Sequence, residues 1–142
     1  MRRAVYRLRR VLGRRGTILL TYGGVWALYG YGQITTPAPD QRGLTILLNL
    51  WPLPAWGALW VAAGIVAIIA AWLPQGRDWW GFLALVLVVI PWTLAYFVSW
   101  WPLGVFSRGW VGAAVWSLIA VPAIVVAGWP EPPRPKEVET RL

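Results

Sequence analysis

Cysteine and histidine are both missing from the 142 residues, and lysine occurs once, at position 136. Without thiol or imidazole, the chain has no disulfide, no Cys or His metal ligand, no Cys nucleophile and no His base. Acidic residues are scarce too, five against thirteen basic ones, for a formal net charge of +8. Charged residues make up 13% of the chain and apolar residues 58%, far from the balance of a soluble domain. The absence with most consequence is local: residues 16–34, 55–73, 79–101 and 110–129 contain no Asp, Glu, Lys or Arg at all.

Each of these runs is about 20 residues, the length a helix rising roughly 1.5 Å per residue needs to cross a hydrocarbon core of about 30 Å. Backbone groups in lipid must be satisfied internally, so a spanning segment is a helix or part of a closed barrel. Barrel strands alternate polar and apolar residues, and these runs do not. The sequence therefore predicts an all-α integral membrane four-helix bundle with spans 16–34, 55–73, 79–101 and 110–129. Proline punctuates the connections: Pro37, Pro39, Pro52 and Pro54 in the first, Pro74 in the second, Pro102 in the third. Tryptophan marks the same boundaries. Trp51, Trp56, Trp72, Trp79, Trp80, Trp100, Trp101, Trp110 and Trp129 form an expected interface belt, where amphipathic rings are favoured. The remaining four, Trp26, Trp60, Trp92 and Trp116, fall one per span, positions suited to bundle packing or to lipid.

Basic residues are retained on the cytoplasmic side, and eleven of the thirteen fall there if the amino end is inside. Only Arg42 and Arg108 lie in outer connections, and four spans return the carboxyl end to the inside. A cleaved signal peptide is the rival reading of an Arg-rich start before an apolar run. The first run is long for one, and no small-x-small cleavage pattern precedes Pro37, so the first span is expected to be retained. Arg14-Arg15 matches half of a twin-arginine signal without the rest of that pattern.

Outside the spans, no segment is long enough to bury a core of its own. Residues 1–15 form a basic cytoplasmic segment. Ala4, Val5, Leu8, Val11 and Leu12 share one helical face, and Arg3, Arg7, Arg10 and Arg14 the other. This predicts an amphipathic interfacial helix, with Arg2, Arg3, Arg7, Arg9, Arg10, Arg14 and Arg15 bound to the anionic lipid of the cytoplasmic leaflet at about 1 kcal/mol per cation. The alternative is a solvated topology signal. Nucleic acid is not expected, because no aromatic stacking platform accompanies the arginines. In the first connection, Asp40 is placed to cap a short helix through Leu44, Leu47 and Leu50. Residues 130–142 form a Pro-rich, charged cytoplasmic tail, a spacer or a docking motif for an unknown protein partner. Trp51-Pro52-Leu53 before the second span echoes Trp101-Pro102-Leu103 before the fourth, a three-residue match too short to establish a repeat.

Ionisable groups inside a bilayer mark proton relays and intramembrane catalysis. With none in these spans, no enzyme activity, catalytic residue, metal or cofactor is expected. Size and hydropathy resemble the small multidrug transporters, but that family depends on a first-span carboxylate that is missing here. A passive channel is disfavoured because no polar stripe lines the spans. The spans carry small residues instead, Gly23, Ala27 and Gly30 in the first, Ala63, Ala67 and Ala71 in the second, and Ala113, Ser117 and Ala120 in the fourth. Such faces let helices approach closely within one chain or in a homo-oligomer. Pro91 and Pro122 are expected to kink the third and fourth spans.

The Arg-rich start, Trp56-Gly57, Asp78 with Gly81-Phe82, Arg108-Gly109-Trp110 and Gly128-Trp129-Pro130-Glu131-Pro132 together resemble small four-span membrane proteins of actinobacterial phages. The resemblance covers most of the chain and supplies no catalytic residues. It implies a holin-like protein that oligomerises in the host inner membrane. The alternative is an accessory or anchoring protein whose cytoplasmic ends hold a partner.

Overall fold

The computed structural model describes residues 2–130, with side chains from Leu12 onward. The chain is all-α: α1 (Arg2–Thr35), a 3-10 turn (Arg42–Leu44), α2 (Thr45–Leu50), α3 (Leu53–Ala70), α4 (Trp79–Trp100) and α5 (Gly109–Ala127). No strand occurs among the described residues. Three of these helices, α3, α4 and α5, are long and apolar enough to cross a membrane. Glycine, threonine and tyrosine dilute the hydropathy of the long half of α1, yet it too carries no Asp, Glu, Lys or Arg from Gly16 to Thr35.

Helix boundaries follow the prolines. Pro52 is the N-cap of α3 and Pro54 lies in its first turn, where a missing N–H costs nothing because that donor has no intrahelical partner. The helix ends at Ala70 rather than Leu73, since Trp72 and Leu73 donate instead to Ile69 O and Ala70 O in a tightened last turn. Both α4 and α5 continue through Pro91 and Pro122. In α1 the break is at Gly13, whose φ of 70° only glycine adopts readily. That kink separates the basic first part from the long second part. Hydroxyls inside the helices bond their own backbone, Thr17 to Gly13 O, Thr21 to Thr17 O and Ser99 to Tyr96 O.

The helices pack in chain order, α1 on α3, α3 on α4, α4 on α5, with α1 touching α5 only locally. Glycine dictates the first pairing. A Cβ on Gly23 would come within 2.7 Å of Gly64 O, one on Gly57 within 2.8 Å of Gly30 O, and one on Gly16 within 2.7 Å of Ala71 O. Positions 16, 23 and 30 thus meet 71, 64 and 57, an antiparallel seam repeating every seventh residue, the period that keeps one face of each helix on its neighbour. The expected small-residue face of the second span divides: Ala71 meets Gly16 of α1, while Ala67 and Ala70 meet Gly81 of α4. On α5, Ala113 is buried and Ala120 half-buried, whereas Ser117 is exposed. The glycines that carry the α4–α5 contact are Gly109 and Gly112, where a Cβ would strike Tyr96.

Candidate functional site

Two features join long helices to one another. The first lies at the end where Gly16 meets Ala71. Arg15 at the start of the second part of α1 is 7% exposed and Asp78, at the N-cap position of α4, is 3% exposed. Arg15 Nε donates to Asp78 Oδ2 at 2.6 Å and Nη2 to Oδ1 at 3.0 Å, the two-pronged geometry that a planar guanidinium makes with a carboxylate. Its remaining nitrogen, Nη1, donates to Ala127 O at 2.6 Å, Trp129 O at 3.1 Å and Val126 O at 3.2 Å. Val126 O and Ala127 O lie in the last turn of α5 and Trp129 O just beyond it, where the helix dipole also favours a cation. The guanidinium lies over the Phe82 ring at 5.0 Å, and the Gly76 N–H donates to the same carboxylate at 3.3 Å. One buried cation therefore binds the ends of α1, α4 and α5 together.

The second feature is a cluster of aromatic rings at mid-length. Trp60 of α3 sits at its centre, 5.4 Å from Trp26, 4.8 Å from Tyr29, 5.4 Å from Trp92 and 5.2 Å from Trp116, centroid to centroid. Each of the four mid-run tryptophans comes from a different long helix, and three of them are buried. Two of the polar handles are tied off inside, Trp26 Nε1 donating to Leu85 O at 3.1 Å and Trp92 Nε1 to Tyr29 Oη at 3.0 Å, whereas the buried Trp60 Nε1 has no hydrogen-bond partner among the described residues.

The site residues expected from the sequence fall as follows. Among the arginines, Arg2, Arg3, Arg7, Arg9 and Arg10 belong to the helical backbone of α1, but their side chains lie outside the described residues. Arg14 is exposed, whereas Arg15 is not at the surface; its charge goes to Asp78 and the α5 carbonyls. Of the belt tryptophans, Trp51, Trp72, Trp79, Trp80, Trp100, Trp101, Trp110 and Trp129 are exposed. Trp56 is half-buried and donates to Leu47 O at 2.9 Å. Trp72, Trp79, Trp80 and Trp129 lie at the Arg15 end, with Trp79 and Trp80 stacked at 3.8 Å. Of the packing residues, Gly23 and Gly30 lie in the α1–α3 seam, Ala27 faces Gly64, and Ala63 and Ala67 are buried. All but Pro130 of the tail falls outside the described residues.

In the first connection, Asp40 accepts from the Arg42 backbone at 3.1 Å and from its guanidinium at 2.8 and 3.0 Å. The paired Arg42 side chain lowers the Asp40 carboxyl to about 2. Asp40 therefore does not cap the short helix as expected: Gln41 holds the N-cap position of the 3-10 turn and Leu44 that of α2, neither with a side-chain cap, and the buried Leu44 and Leu47 lie against α4.

No protein-family model, curated protein or solved structure matches the chain.

Proposed function

We propose that the chain is a non-enzymatic protein of a bacterial inner membrane, crossing it four times with both ends in the cytoplasm, and that it acts as a holin-like protein of phage type. The second part of α1 joins α3, α4 and α5 as the fourth span of the bundle. What supports the membrane reading is the outer surface. Leu28, Leu59, Ile69, Leu87, Leu94, Leu118 and Ile124 are all 40% exposed or more, and belts of exposed tryptophan close this apolar band at both ends. The basic residues sort with it: Arg14, Arg15 and Arg77 share one end with the α5 C-terminus, and Arg42 and Arg108 lie at the other.

For the holin-like role, the supporting observation is α5, which is buried along one narrow face and leaves the rest of an uncharged helix open to lateral contact with other copies. The aromatic core blocks a pore through one protomer, so a lesion forms between protomers. Induced expression in a bacterium, followed by membrane potential and dye entry, tests this. Abrupt permeabilisation at a threshold level is expected; steady accumulation with an intact potential overturns it.

The anchoring role rests on a different observation, the bond from Arg15 to Trp129 O. It holds Trp129, just before the Pro-rich tail begins, beside Arg15 of α1. Affinity capture with and without residues 130–142 tests it, and partners that remain after both ends are deleted overturn it.

A further inference from the structure

Between α1 and α5, where the bundle is not closed by helix contact, there is a cavity of about 370 Å³. It is floored by the rings of Tyr22, Trp26, Tyr29, Trp60 and Trp116 and walled on the α5 side by Ile119. The Arg15 bonds to Val126, Ala127 and Trp129 clamp the two helices at the cytoplasmic end, and the Tyr29–Trp116 ring contact, at 5.1 Å, closes the gap deeper in the bilayer. The groove lies between these two points and opens sideways.

We infer that this groove binds one hydrocarbon chain of a lipid, an inference that rests on the membrane reading above. Its chemistry decides against a polar solute. Three polar atoms of the lining side chains bond within the protein, Thr21 Oγ1 to Thr17 O, Trp26 Nε1 to Leu85 O and Tyr29 Oη from Trp92, and Trp60 Nε1, which has no partner among the described residues, is buried away from the space. What faces the space is carbon alone. The lining runs from Thr21 to Tyr29, about 12 Å of helix rise, a length that takes part of an unbranched chain. Lateral entry of such a chain from the surrounding lipid needs no opening of the Arg15 clamp. Aromatic walls present broad, rigid apolar surface, the usual lining of a site for an apolar ligand.

The test uses the full chain in two preparations. In phosphatidylcholine vesicles carrying a diazirine at mid-acyl chain, photolabelling followed by peptide mass spectrometry is expected to mark Tyr22, Trp116 and Ile119 more heavily than Leu118 and Ile124, which face open lipid. In detergent, native mass spectrometry is expected to find one lipid adduct per protomer, its mass distinguishing a phospholipid from a free fatty acid. The adduct is expected to persist in Leu87→Trp, on the outer face of α4, and to be lost in Val25→Trp and Ile119→Trp, which fill the groove. Equal labelling of groove and outer positions overturns the inference without needing any variant. So does an adduct that survives in the filled variants with helicity intact. Alkaline carbonate separates the two levels of failure: a chain that stays in the membrane but binds no lipid removes only the groove, whereas a chain released into solution removes the membrane reading as well.

Discussion

Arg15 has the properties of a charge that cannot be left alone. Its desolvation is tolerated because a carboxylate and three carbonyls use its donors at once. Breaking a buried pair by removing one partner costs about 3–5 kcal/mol, whereas replacing both with apolar groups is often close to neutral. Asp78→Leu and Arg15→Leu are therefore each expected to lower the unfolding free energy in detergent by about that amount, and the double variant by clearly less than the sum. Additive losses would mean that the two side chains do not act as a pair. Arg15→Lys keeps the charge but loses the fork, and is expected to fall between the wild type and Arg15→Leu. The exposed Asp40–Arg42 pair gives a contrasting case. The carboxyl is depressed from 3.8 to about 2, chiefly by its bond to the Arg42 side chain. Its contribution is thus complete above the unfolded value and is lost only as pH falls through about 2, so nothing should change between pH 5 and 8. A carbon NMR titration of Asp40 is expected to show that low midpoint, and Arg42→Gln to move it back toward 3.8.

The glycines of α1 divide into two kinds. Gly23 has Gly64 O where its Cβ would go, while Gly24, one residue on, has nothing within 4 Å. Gly64→Ala would place a methyl 2.5 Å from Gly23 O and 2.6 Å from the Ala27 nitrogen, and overpacking of this kind costs typically about 1–3 kcal/mol. Gly24→Ala meets open space and gains up to about 1 kcal/mol of helix propensity. Thermal unfolding of the two variants in the same detergent checks the pair, and equal effects would deny the seam. This seam was only half legible in the sequence. Gly23, Ala27 and Gly30 stand out at spacings of four and three, but the small residues that stand out in the second span are Ala63, Ala67 and Ala71, of which Ala71 meets a glycine of α1 and Ala67 meets Gly81 of α4. The seven-residue recurrence of Gly16, Gly23 and Gly30 against Gly57, Gly64 and Ala71 is the signal that pairs the two helices. The limits of α3, α4 and α5, by contrast, are readable to within three residues, because proline and the ends of uncharged runs encode them locally. Arg15 was obscured by its neighbours: seven arginines before residue 16 read as one surface block, and only Gly13 separates Arg15 from most of them. The pairing depends on residues 63 apart, and no local pattern carries it. A lone acid at the edge of one apolar run, and an arginine at the edge of another on the same membrane side, is the combination that points to it.

At the scale of the whole molecule, the packing order α1–α3–α4–α5 sets both ends of the bundle. The end holding Arg15, Asp78 and Trp129 gathers the basic kink of α1, the turn at residues 74–78 and the close of α5. The other gathers the 3-10 turn, α2 and the connection that ends at Gly109, with Gly43 and Gly109 both packed against Tyr96. In the proposed membrane orientation the first end is cytoplasmic, because it also carries the larger share of arginine. A chain without cysteine makes this directly measurable, since any thiol introduced is the sole target of a maleimide. Ala38→Cys and Ser107→Cys, both at exposed positions of the second end, are expected to react with a membrane-impermeant maleimide in intact cells. Arg77→Cys, in the turn that presents Asp78 to Arg15, is expected to react only after the membrane is opened. Reaction of Ala38→Cys and Arg77→Cys from the same side would mean that α3 does not cross, and the antiparallel seam between α1 and α3 would then have to lie outside the bilayer. Because that seam, the Arg15 clamp and the tryptophan belts all share one axis, a single misplaced thiol would refute the orientation of the entire bundle and not merely of one helix.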